Sequence, residues 1–283
     1  MDQRERNVAI LQDTLQILKD GQYEKEGKVI TLPSSLEQRM ECHVLLPEMI
    51  DELDVSHVVP HSGTCAYSVI NTDTFSMTED WVRNGYEKVL ALNLANPVHP
   101  GGGVRRGARA QEEDLCRKSS LLPVLESESA DRYYRYNWQL HTKMGSDAVI
   151  VTPYVDVFKD VHAQTMQKPF TTGVITAAAP LISYGLEGRS ESEYKDMFRT
   201  RIRNLLKCAA YYGYRDLVLG AWGCGAFSNK AEVVAPLFKE ALQTLNVNGY
   251  GSEQLFAHIG FAILCGRDTY NYDTFKAEFG EEG

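Results

Sequence analysis

Five continuous apolar runs constrain the fold of this chain more than any other feature: KVLALNLA at 88–95, DAVIVT at 147–152, TTGVITAA at 172–179, DLVLGAW at 216–222 and HIGFAILC at 258–265. Each has strand length, and none alternates cleanly between apolar and polar residues. Strands of that kind are stable only when both faces of their sheet are covered. Helical patterns fall between several of them, at 108–122, 191–212 and 230–245, and a further strand is expected at Ala66–Ile70. The alternation predicts an α/β fold with helices on both sides of the sheet. Near the start, Val8, Leu11, Leu15 and Leu18 recur at helical spacing up to Gly21. Residues 31–65 hold short apolar pieces broken by Pro33, Pro47, Pro60 and Gly63 and stay unassigned. No repeat or linker divides the 283 residues, so one domain is expected, with 1–60 as a helical extension and 61–283 as its core.

Charge narrows the function. With 29 basic and 38 acidic residues the net charge is −9, which disfavours non-specific binding to nucleic acid. The six cysteines form no C-x-x-C pair and read as reduced cytoplasmic thiols. The opening MDQRERNVAILQ lacks an apolar core, so no secretory signal is expected, and no run is long enough to span a membrane. His57 and His61 stand four apart, but Pro60 interrupts a helix there, so no metal is expected. DRYYRYNW at 131–138 reads as an amphipathic helix with half-buried rings rather than a base-stacking platform.

In such folds ligands bind where strand ends feed the next helix, and two of those loops stand out. The first contains Gly101, Gly102 and Gly103, then Gln111, Glu112, Glu113 and Asp114 at a helix start, flanked by Arg105, Arg106 and Arg109. The second reads GAWGCGAFSNK from Gly220, with Gly223 and Gly225 permitting tight turns whose amides can wrap a diphosphate. It is neither a P-loop nor a dinucleotide fingerprint. Cys224 could be read as a thiolate nucleophile near a helix start, although no histidine is close in sequence.

Together, GGG followed by seven residues and QEE, with VINTDT at 69–74, LNLANP before the glycines, ITAAAP at 175–180 and LGAWGCGAFSN at 219–229, resemble the macrodomain-type poly(ADP-ribose) glycohydrolases, most closely the compact bacterial type. The resemblance implies a three-layer α/β/α macrodomain-like mixed sheet with an N-terminal helical extension. It implies ADP-ribose or poly(ADP-ribose) on modified proteins as ligand, no cofactor, and a monomer. Glu113 matches the catalytic glutamate and Glu112 the neighbour that positions the ribose hydroxyls. Gly101, Gly102, Gly103 and Gln111 match the first ligand loop. Gly223, Cys224, Gly225, Ala226 and Phe227 match the second, Asn96 lies beside the distal ribose, and Asp73 reaches the adenine. An ADP-ribose reader or a mono-ADP-ribosyl hydrolase shares the glycine loops, but a reader does not need the paired acids.

The chemistry can be read without the family. Cleaving a ribose–ribose bond needs a proton donor and a stabilised oxocarbenium-like centre. A carboxylic acid donates at neutral pH when desolvation or neighbouring negative charge favours its protonated form. Glu112, Asp114 and a bound diphosphate would supply that setting around Glu113.

Overall fold

The computed structural model describes residues 2–61 and 63–280. The N-terminal segment folds as helix α1 (Gln3–Asp20), a hairpin of β1 (Gln22–Lys25) and β2 (Lys28–Thr31), the short α2 (Leu36–Arg39), strand β3 (His43–Leu45) and α3 (Pro47–Asp51). The core follows as β4 (Ala66–Ile70), α4 (Thr74–Arg83), β5 (Val89–Leu94), α5 (Gln111–Lys118), α6 (Leu121–Leu125), α7 (Glu128–Gln139), β6 (Val149–Lys159), β7 (Thr165–Ala177) and α8 (Glu191–Tyr211). It ends with β8 (Asp216–Leu219), α9 (Ala231–Gln243), α10 (Ser252–Leu255), β9 (His258–Ala262) and α11 (Tyr270–Phe279).

Seven strands form one mixed sheet in the order β3-β6-β7-β5-β8-β9-β4. The run from β7 to β4 is parallel, while β6 is antiparallel to both its neighbours. Alternation along β5 divides the core. Leu90 and Leu92 pack with Phe198, Ile202 and Phe238 on the face covered by α8, α9 and α11. Val89 and Ala91 pack with Phe75, Leu115 and Tyr133 on the face covered by α4 to α7. This is the expected α/β/α sandwich.

The details differ from the sequence reading in three places. Residues 1–60 contain α1 as expected but also a hairpin and β3, which joins the main sheet against β6. Strands β6 and β7 extend well past the predicted apolar runs into a long hairpin, carried through Pro153 and Pro169 with register shifts near Val155 and Lys159. The helix predicted over 108–122 is two helices, because Ser119 is extended and bridges to Val157 instead.

Helix α1 braces the first ligand loop. Asn7, buried, donates through Nδ2 to Gly107 O at 2.9 Å, and a Cβ at Gly107 would run into the Arg4 carbonyl. On the next turns Lys159, reaching from β6, donates to Ile10 O at 3.0 Å and Thr14 Oγ1 at 2.7 Å and pairs with Asp13 at 2.7 Å. Among the described residues no helix is long and apolar enough to cross a membrane.

Candidate active site at the carboxyl ends of the parallel strands

The loops after β4, β5, β7 and β8 emerge at one pole because these strands are parallel. The first loop leaves β5 and returns as α5, whose first turn holds Glu112 and Glu113. Both are buried, at 3% and 7% exposed. Gly103 N–H donates to Glu113 Oε1 at 2.8 Å, and Glu113 Oε2 is buried without a partner among the described residues. An oxygen denied every protein donor costs free energy, so the fold keeps it open for something else.

Glu112 faces the strand. Its Oε2 accepts from Asn96 N–H at 2.8 Å and its Oε1 from Asn93 Nδ2 at 3.4 Å. Burial pushes its carboxyl up to about 8, and the nearby Glu113 charge adds to the rise. Asn93 is fully buried and also donates to Thr176 Oγ1 at 3.1 Å. It was not among the candidates from sequence. A single amide within KVLALNLA, on the same alternating face as Val89 and Ala91, is the signal that could have found it.

The three glycines serve the carboxylates and the core. A Cβ at Gly102 would lie 2.6 Å from Glu113 Oε1 and 3.0 Å from Glu112 Oε2. One at Gly101 would meet Leu122 Cδ1 at 2.6 Å, and one at Gly103 would meet Ala108 Cβ at 2.8 Å. The missing side chains thus make room first for the protein's own groups, rather than only for a ligand.

Several polar side chains around the loops also make internal bonds. The Gln111 amide donates to Leu92 O at 2.7 Å and Thr74 Oγ1 at 3.0 Å, and its Oε1 accepts from Leu94 N–H at 2.9 Å, pinning α5 to β5. Asp73 caps α4 by accepting from Ser76 and lies 3.6 Å from the buried Lys118, which pairs with Asp114 at 2.6 Å. Arg105 is held bidentate by Glu126 at 2.7 and 2.6 Å. Asn96 Oδ1 accepts from the Val98 and His99 amides, both at 2.9 Å, shaping the turn.

The second loop is different. The amides of Gly225, Ala226 and Phe227 meet no acceptor among the described residues, and Gly225 and Ala226 are exposed. Successive free amides in a tight loop form a cradle for anionic oxygen. Its post is Asn229, another residue the sequence reading passed over. Asn229 Nδ2 donates to Pro180 O at 2.8 Å and Gly223 O at 3.1 Å, and its Oδ1 accepts from Tyr194 at 2.6 Å. Phe227 is half-buried against the core.

Gly223 and Gly225 therefore do separate things. Gly223 has φ +77° and its Cβ would collide with Ala179 and Asn229, so a bulky residue there tests the turn and not the phosphate. Gly225 has open space around it and no positive φ. Gly225→Leu should keep the fold and weaken ADP-ribose binding at least about tenfold, because the new side chain stands before the free amides. Titration calorimetry with an unchanged Kd would remove the cradle assignment.

Cys224 lacks the setting that favours a thiolate. Burial pushes its thiol up to about 12, and α9 begins only at Ala231. His57 and His61 instead bond the carbonyls of Tyr211 and Phe256, and among the described residues no cluster could hold a metal. Residues 131–138 lie on the expected amphipathic helix α7, but Tyr133 and Tyr134 are buried in the core rather than half-buried. A separate cavity of about 530 Å³ opens at the amino ends of the strands, where His258 is paired with Asp216 at 2.7 Å. It shares no residue with the glycine loops.

Comparison with known proteins places this arrangement. The family model for the catalytic domain of microbial-type PARG matches residues 11–160, more than half the chain. The chain belongs to that family. The poly(ADP-ribose) glycohydrolase of Thermomonospora curvata bound to the inhibitor ADP-HPD is 28% identical, with 97% of this chain and 100% of that chain covered at a TM-score of 0.86. The Deinococcus radiodurans poly(ADP-ribose) glycohydrolase in complex with ADP-ribose is 32% identical, with 90% and 100% covered at a TM-score of 0.79. A search of curated proteins finds no match.

Proposed function

We propose that the chain is a poly(ADP-ribose) glycohydrolase that hydrolyses ribose–ribose O-glycosidic bonds and releases ADP-ribose. The observation that carries this reading is Glu113, with one oxygen fixed by Gly103 N–H and the other buried and unpartnered at the pole where the amides of 225–227 are free. The diphosphate sits on those amides, and Phe227 and Asn96 flank the distal ribose.

Glu113 enters the reaction protonated, the bound diphosphate beside it favouring that form. The unpartnered oxygen of Glu113 carries a proton to the leaving ribose oxygen as the C–O bond breaks. The ribosyl cation is stabilised by the ligand's own diphosphate charge. Glu113, now anionic, takes a proton from water as that water bonds to the sugar carbon, which restores the starting state. Glu112 holds the backbone at Asn96 and through it the ribose.

Purified protein incubated with poly(ADP-ribose) and, separately, with mono-ADP-ribosylated protein should release free ADP-ribose from the polymer. The rate should fall as pH rises through about 8, because Glu112 then ionises and puts a second buried charge beside Glu113 and the anionic ligand. Release from neither substrate would overturn the assignment in favour of an ADP-ribose reader. Release only from the mono-modified protein would favour a mono-ADP-ribosyl hydrolase. We further propose that the protein acts as a monomer in the bacterial cytoplasm. All six cysteines are free, as a reducing compartment allows, and the family is microbial.

A further inference from the structure

The strand order tells which loop lies beyond the scissile bond. The free amides follow β8, the catalytic Glu113 lies in the first turn of α5, the helix that follows β5, and the next strand in that direction is β7. A chain lying with its diphosphate over the β8 loop and its scissile bond at Glu113 therefore passes its leaving unit toward the loop after β7. That unit is itself an adenosine carrying a diphosphate, so it offers an aromatic base and negative charge.

The loop after β7 is built to meet both. Tyr184 is 72% exposed, and the Lys143 ammonium lies 3.6 Å over its ring centroid. Lys143 makes no ion pair among the described residues, in a chain of net charge −9. The two segments that carry the ring and the ammonium are tied to one another. Glu187 accepts from Lys143 N–H at 2.9 Å and from Thr142 Oγ1, tying segment 142–143 to the loop. Arg201, 2% exposed, donates from one nitrogen to Met144 O at 2.8 Å and Ala178 O at 2.9 Å, locking the bases of both segments together. Residues two positions from each border the cleft. Ile182 N–H donates to Phe227 O at 3.0 Å, and Gly145 lies against Pro97 of the first loop.

We infer that Tyr184 and Lys143 form a subsite for the leaving ADP-ribose unit, Tyr184 stacking on its adenine and Lys143 meeting its phosphates. This rests on the glycohydrolase reading above and makes the enzyme selective for polymer over single ADP-ribose units. Base-on-ring stacking and phosphate contacts of this kind are sequence-tolerant and salt-sensitive.

The test compares poly(ADP-ribose) with a synthetic aryl O-glycoside of ADP-ribose, which carries the reacting ribose but no second unit. Tyr184→Ala should raise KM for polymer roughly 5- to 100-fold with kcat little changed. Its kcat/KM on the aryl glycoside, whose leaving group does not extend to Tyr184, should move less than twofold. Tyr184→Phe should restore the polymer KM, since the ring is kept. Lys143→Ala should flatten the salt dependence of that KM. An unchanged polymer KM for Tyr184→Ala, or an equal loss on both substrates, overturns the subsite. Failure of the wild type to cleave either substrate overturns the glycohydrolase reading instead, and the subsite with it.

Discussion

Glu113→Gln is expected to release ADP-ribose from polymer in a single turnover at least about 100-fold more slowly than the wild type. The amide oxygen can still accept from Gly103 N–H, which meets the carboxylate at 2.8 Å, so the side chain keeps its place. Its NH2 group falls where the unpartnered Oε2 stood and can neither give an acidic proton nor take one from water. Binding of ADP-ribose should be unchanged or slightly tighter, because a carboxylate beside an anionic ligand is gone. The melting temperature should not drop, since the lost oxygen had no protein partner to lose. Rapid-quench measurement of released ADP-ribose decides the matter. Equal rates for the two proteins would take Glu113 out of the mechanism.

The second large effect comes from a single methyl group. Gly102→Ala puts a carbon 2.6 Å from Glu113 Oε1 and 3.0 Å from Glu112 Oε2, so both carboxylates have to move. Misplacement of reacting groups by about 1 Å costs on the order of 100-fold in rate. Gly102 also has φ +58°, which adds about 1–2 kcal/mol of backbone strain to the stability cost. Gly213→Ala separates the two effects. Gly213 has φ +74° and nothing nearer to its Cβ than Lys88 Nζ at 3.7 Å, so it carries the strain without the collision. Both variants should melt lower, and only Gly102→Ala should lose activity. Turnover by Gly102→Ala equal to that of Gly213→Ala would show that the glycine serves the turn alone.

The layered fold could be read from the chain because its evidence is local. Continuous apolar runs such as VLALNL and DLVL demand cover on both faces, and the helices between them supply it. The ends of the elements were less legible. Strands β6 and β7 continue past Pro153 and Pro169 because each is stabilised by the other across a long ladder, which neither proline nor a broken apolar pattern announces. Asp156 illustrates the same point. It is fully buried in β6 yet accepts from Ser34 and Thr171, residues 122 and 15 positions away.

The candidate site divides along the same line. Two glycine loops after buried strands, and two adjacent acids opening the helix after the first, are legible in the chain itself. Residue type and spacing suffice for this, because backbone freedom and carboxylate chemistry belong to single residues and their immediate neighbours. Which polar groups bond one another, and which stay without a partner among the described residues, follows from the folded arrangement. Gln111 and Asp73, matched to the ligand site in the chain, also bond Leu92 and Ser76 in the fold, and Arg105 beside the glycines is held by Glu126. Asn93 and Asn229 look unremarkable in the chain and hold the two loops. The raised proton affinity likewise falls on Glu112, since burial against β5 and not the run of acids is its main cause. Desolvation and hydrogen-bond satisfaction depend on what lies across space, and those neighbours exist only once the sheet and its helices have closed on one another.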